Sequence, residues 1–188
     1  DQGMGKAPRA PASRLEARSR ARDAAEDVIA VLRSQGYYGY VVEPAVTDAE
    51  PGQPFVQVAP GPQFLLADPH IAWQGDDPPP EIQGVGVAAM QLLPGEPGRA
   101  GDIIAAEGRI AAAVQKLGYA DVITNPREVI VDHADQTVRP EFRITPGELV
   151  RMDGIDLRTE GRTNPAWVRT LSPWQAGDVY DPEAVAEL

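Results

Sequence analysis

The chain has no cysteine, which excludes disulfides, thiolate metal sites and cysteine nucleophiles together. It suits a periplasmic chain that must avoid stray oxidation. Only two histidines are present, His70 and His133, too few for a zinc site built on nitrogen ligands. Basic charge is scarce as well. Seventeen Lys and Arg stand against 28 Asp and Glu in 188 residues, a net charge of −11. A nucleic-acid binder needs a basic face to neutralise phosphates, so no nucleic-acid partner is expected. No apolar run approaches the ~20 residues of a membrane-spanning helix.

Catalytic motifs are missing too. There is no Gly-x-Ser-x-Gly elbow, phosphate loop or His-Glu-x-x-His run. Gly84-Val85-Gly86 follows no strand pattern and fails the dinucleotide test. Asp132-His133-Ala134-Asp135 sets a histidine between carboxylates, a possible general base, so a small hydrolase using His133 is the alternative from another class. The plainer reading is a hairpin turn, where Asp and His are turn formers. His70 has no nucleophile or metal partner nearby in sequence. The expectation is a protein that is not an enzyme and needs no cofactor.

What is present is a repeat. Residues 54–61 and 140–147 share the form Pro-x-φ-x-φ-x-Pro-Gly at an offset of 86. Upstream, Ala24, Val28 and Leu32 match Ala106, Ile110 and Val114 at an offset of 82, an i, i+4, i+8 helical stripe in both copies. Each stripe ends at Gly-Tyr, Gly36-Tyr37 and Gly118-Tyr119, where glycine suits a left-handed helix cap. Strand patterns follow at Tyr40–Val42 and Asp121–Ile123, at Val56/Val58 and Phe142/Ile144, and over 64–73 and 149–157. First helices fit roughly 82–92 and 164–171. Gly101-Asp102 and Gly177-Asp178 then supply an aspartate to cap the next helix. One unit therefore reads strand, helix, helix, strand, strand. The fold class is α+β, a chain of small mixed sheets of three strands, each with two helices on one face. The boundaries fall at 1–62 (the back of one unit), 63–147 (a complete unit) and 148–188 (the front of a third). Asp1 at the start, and a helical pattern running to Leu188, make both ends look like cuts in a longer polypeptide.

This order of elements resembles the POTRA (polypeptide-transport-associated) domain. The resemblance rests on the helix end Leu32-Arg-Ser-Gln-Gly36-Tyr37-Tyr38-Gly39, the Pro-Gly after each alternating strand, Gly75 and Gly161, and Gly177-Asp178-Val179-Tyr180-Asp181. Within the family the run 20–38 is most similar to TamA-like proteins, outer-membrane subunits of the translocation and assembly module. The resemblance implies a periplasmic arm on the outer membrane of a Gram-negative bacterium. The arm would be followed by its own membrane β-barrel, with a TamB-like inner-membrane partner and unfolded outer-membrane or autotransporter clients. It would work by protein recognition, including strand addition at the edge after each Gly-Tyr cap. The arm of a general barrel-assembly insertase or of a two-partner secretion exporter is the alternative within the family. The partner-binding residues it implies are Tyr38, Tyr40, Val41, Val42, Val122 and Ile123. The departures are a Pro- and Gly-rich stretch at 76–100 and a missing first strand in the first unit.

Three side readings complete the sequence. Tyr37 and Tyr119 fold back as core, whereas Tyr38 and Tyr40 lack aromatic counterparts and are free for outside contacts. Pro44 and Pro126 interrupt the two edges. The Arg-rich run from Arg14 to Arg22 is either a solvated helix face or a contact for anionic lipid or an acidic partner. It belongs to residues 1–33, with 7 basic and 5 acidic side chains, which leaves 10 against 23 for the remainder.

Overall fold

A computed structural model describes residues 10–154, 167 and 172–187. The first half of the expected Leu149–Leu157 strand is irregular, with an isolated bridge from Arg151 to Val179. The rest of that strand, Gly161, and the expected helix at 164–171 apart from Trp167 lie outside the described residues. The chain divides into two compact units, residues 1–65 with 95–101 and 131–138, and residues 66–94 with 102–130 and 139–188.

The first unit is built on helix α1, Arg14–Ser34. Ser13 caps it by accepting the Glu16 N–H at 3.2 Å, and the Glu16 carboxylate reaches back to the Ala12 N–H at 2.7 Å. Its buried stripe is Ala17, Ala21 and Ala25. The expected stripe is half right: Val28 and Leu32 are half-buried, but Ala24 is exposed. The reason is what α1 covers, a two-stranded sheet of β1 (Val41–Val46) and β2 (Pro54–Ala59). Methyl side chains let the first half of the helix lie close to that narrow hairpin. Val41 to Val46 pair antiparallel with Ala59 to Pro54.

The second unit holds β4 (His70–Trp73), helix α2 (Pro80–Met90), most of helix α3 (Ala100–Gln115), β5 (Ile123–Thr124) and a short helix α4 (Pro182–Glu187). Short β3 (Leu65–Leu66), β6 (Glu128–Asp132) and the long β7 (Thr137–Thr145) run across the division. Strand β7 is central: β4 pairs with it in parallel, β5 and β6 on the other side. Strand, two helices, then a hairpin is the strand-helix-helix-strand-strand order, α+β with a mixed sheet.

Alternation along β7 separates the two faces of the sheet. Val138, Pro140, Phe142 and Ile144 are buried while their neighbours are half-exposed. Ile71 and Trp73 share the buried face through their pairing with Phe142 and Ile144, and Gly86 of α2 lies against both. Ile103, Ala106, Ile110 and Val114 of α3 are all buried, so the stripe expected for the second copy holds in full. Arg109 of α3 donates to the Ala89 and Met90 carbonyls at 3.1 and 2.6 Å, closing the end of α2.

The aspartate caps are corrected. α3 begins at Ala100, ahead of Asp102, which sits in its first turn. Asp178 accepts from the Gln175 N–H at 2.8 Å and closes a turn, and it is Asp181 that caps α4, accepting from the Glu183 N–H at 2.9 Å.

The repeat is visible in backbone geometry. Gly36, Gly61 and Gly95 have positive φ, and so do Gly118, Gly147 and Gly177 at the same offsets. The Gly36 carbonyl accepts the Phe64 N–H at 2.8 Å, and Gly118 accepts the Val150 N–H at 2.8 Å. Phe64 and Val150 then accept from Gly98 and Tyr180, at 2.8 and 3.0 Å.

Candidate functional site

The strands that follow the Gly-Tyr caps are sheet edges, β1 beside β2 and β5 with β6 beside β7. What β1 offers follows from alternation. The Thr47 N–H donates to Gln53 at 3.0 Å, next to the Val46–Pro54 pair. In an antiparallel ladder the peptide groups of Ala45, Glu43 and Val41 then also face β2, while those of Val46, Pro44 and Val42 face outward. Val42 and Val46 thus present a donor and an acceptor to the open edge. Pro44 presents only its carbonyl.

The second edge repeats this arrangement. The Asn125 N–H donates to Arg143 at 2.8 Å, so Thr124 and the neighbouring Pro126 fall on the outward side. Pro44 and Pro126 are 82 residues apart, the offset of the helices. Each edge carries its proline where no ladder bond is lost. Between β5 and β6, Arg127 pairs with Glu107 of α3 at 2.7 Å and ties the interrupted edge to the helix. Ile123, Val129 and Ile130 are exposed along it.

The residues named from the sequence fall in different settings. Val41 is 55% and Ile123 58% exposed, open enough to meet a partner directly. Val42 and Val122 are half-buried, and Val122 precedes β5. Tyr38 precedes β1. Its ring meets Phe64 at a centroid distance of 5.7 Å and its hydroxyl donates to the Gly98 carbonyl at 3.0 Å. Burial raises the Tyr38 pKa against an opposing pull from Arg33. Tyr40 is half-buried with the Arg33 guanidinium 5.7 Å from its ring centroid. Tyr119 is buried and Tyr37 half-buried.

The two histidines also part company. His133 is exposed in the β6–β7 turn, edge-on to Phe64 at 5.2 Å. The Asp132 carboxylate beside it accepts the N–H groups of Ala134 and Asp135 at 2.9 and 3.2 Å, so it shapes the turn. His70 does acquire partners that its sequence neighbourhood does not supply. Its Nδ1 donates to the Asp68 carbonyl at 3.0 Å, and its Nε2 lies 3.4 Å from Glu141 across the β4–β7 pair. Glu141 also accepts from Arg143 at 2.9 Å, and Arg143 reaches Glu128. These charges line the face of β7 opposite Phe142.

The Asp68 backbone contact, then the charges of Asp68 and Glu141, raise the His70 pKa, with burial opposing them. A raised folded pKa means stability fully present below the unfolded value near ~6.5 and lost as pH rises through the folded value. Titration of the His70 ring by NMR is expected to give a midpoint above that of His70 in the urea-unfolded chain. A midpoint at or below it contradicts the Glu141 contact.

Among the described residues no group of His, Cys, Asp and Glu is arranged to hold a metal ion, and no helix is long and apolar enough to cross a membrane. No family model matches the chain, and no curated protein does. Similar solved structures include a POTRA3–5 fragment of BamA from Haemophilus influenzae, with 19% identity over 88% of this chain and a TM-score of 0.49. The chain spans 65% of that fragment. POTRA1–2 and POTRA1–3 fragments of Omp85 from Anabaena are similar at 14% and 15% identity, over 67% and 90% of this chain and 73% and 68% of theirs, with TM-scores of 0.46 and 0.44. At these values the internal repeat and its order of elements, not the neighbours, carry the reading.

Proposed function

We propose that the chain is a POTRA-type periplasmic arm of an outer-membrane assembly protein that receives extended segments by strand addition at β1 and β5–β6. The observation that carries this is the repeated edge. In both copies a strand placed after a Gly-Tyr cap leaves outward peptide groups unpaired in the ladder, interrupted by a proline at the same repeat position. Backbone pairing tolerates many sequences, which suits a receiver of varied β-rich clients. The proline limits how long a segment pairs and keeps an open edge from recruiting strands indiscriminately. The finer reading is a TamA-like arm that serves autotransporters, docks a TamB-like partner and hands clients to its own barrel. Val41 and Ile123 supply side-chain contact beside the backbone, with Tyr38, Tyr40, Val42 and Val122 at their flanks.

The test is cell fractionation with an antibody to this segment, with outer-membrane samples run on gels with and without boiling. A heat-modifiable outer-membrane band larger than 20.2 kDa is expected. A band near that mass in the soluble periplasm overturns the arm.

A further inference from the structure

We propose that the groove between α1 and β1 selects an extended segment with acidic side chains at alternate positions. The inference rests on the strand-addition reading of β1 and names the partner's chemistry. A groove of about 420 Å³ is lined by Arg14, Arg18 and Arg22 on the helix side, with Pro44, Ala45 and Val46 on the strand side and the buried Ala21 among them. The three arginines follow one another at i, i+4 and i+8, so they form one row beside the buried alanines. Arg14 has a loose contact with Asp48 at 3.8 Å, both well exposed, which is weak in water. Among the described residues no carboxylate pairs with Arg18 or Arg22. Glu16 on the same helix is held by Arg20 instead, at 2.6 Å.

In a chain of net charge −11, a row of three guanidiniums beside an open strand edge is a local reversal of sign. The spacing defines what fits. Four residues of helix advance about 6.0 Å. Two residues of strand advance about 6.6–6.8 Å. A segment added along β1 therefore brings every second side chain past the next arginine, within the play of a long guanidinium side chain. Carboxylates at positions i, i+2 and i+4 of the segment meet Arg14, Arg18 and Arg22 in turn, while its backbone pairs with the outward groups of Val42 and Val46.

Three eight-residue peptides test this on the chain: Glu alternating with Thr, the same composition with the four Glu in one block, and Gln in place of every Glu. Each exposed ion pair adds a modest gain and three act together, so the alternating acid peptide is expected to bind about tenfold more tightly than the Gln peptide at low salt. The margin shrinks as salt rises. The block isomer is expected to lose most of the margin, and Arg18→Gln with Arg22→Gln, both exposed, to abolish it. Equal affinity for the alternating and block peptides overturns the register. Equal slowing of Val42 and Val46 amide exchange by all three overturns acid selection and leaves strand addition standing. No slowing by any peptide overturns both. Capture of the chain by phosphatidylglycerol vesicles, lost in the arginine variant and without any peptide preference, overturns the proposal in favour of a lipid surface.

Discussion

Phe142→Ala is expected to destabilise the second compact unit by about 3–5 kcal/mol. Phe142 sits in the middle of β7, is fully buried, and pairs with Ile71 of β4 on the face that α2 covers. Truncation removes apolar area from the centre of the sheet and leaves a cavity that strands on both sides cannot collapse to fill. Arg143→Ala, one residue on and on the opposite face, removes only solvent-screened ion pairs with Glu141 and Glu128 and should cost far less. Urea denaturation followed by circular dichroism compares the two. Similar losses for both contradict the assignment of one dry and one charged face.

Gly61→Ala is the second large effect. At φ +67 an L side chain is strained, which costs about 1–3 kcal/mol. Here the added methyl also meets the Gly39 carbonyl oxygen at 2.6 Å. That neighbour is backbone, so no rotamer change relieves the clash, and overpacking adds about 1–3 kcal/mol. Gly147, its repeat equivalent, has φ +77 and only 3.2 Å to the Asp121 carbonyl oxygen. Gly75 has φ +82 and nothing within 4 Å. Thermal melts should rank the alanine variants with Gly61 the most damaging, Gly147 next and Gly75 least. A Gly75 loss equal to that of Gly61 shows that strain alone sets the cost. Gly39 and Gly61 bring the approach to β1 against the exit from β2, so the same contact fixes where the β1 edge begins.

These glycines show why the repeat is legible in the sequence. A positive φ is a local demand, written as Gly at 36 and 61 and again at 118 and 147, whereas Gly177 matches Gly95 in φ and not the helical Gly101 that the sequence sets against it. The edge prolines are legible in the same way, since an outward nitrogen at Pro44 and Pro126 depends only on strand parity. Burial was less so. Ala24 aligns with the buried Ala106 yet is exposed, because α1 packs on a hairpin of two strands and α3 lies in a unit with a third strand, β4, beside β7. Long-range pairs were not legible at all. His70 and Glu141 lie 71 residues apart and meet through a parallel register, as Arg127 and Glu107 meet through helix-on-sheet packing. The arginine row could be read from the sequence as a helix face. Only the fold sets it beside the β1 edge.

Strand addition at β1 makes a claim about individual amides, and hydrogen exchange measured by NMR on the chain with an extended acidic peptide tests it directly. Val41, Glu43 and Ala45 face β2 and should change little. Val42 and Val46 face outward and should exchange markedly more slowly once the peptide pairs with them. Pro44, between them, has no amide to report. Slowing confined to these two positions is the predicted result. Protection spread over Glu43 and Ala45 as well, or falling only on α1, would contradict it.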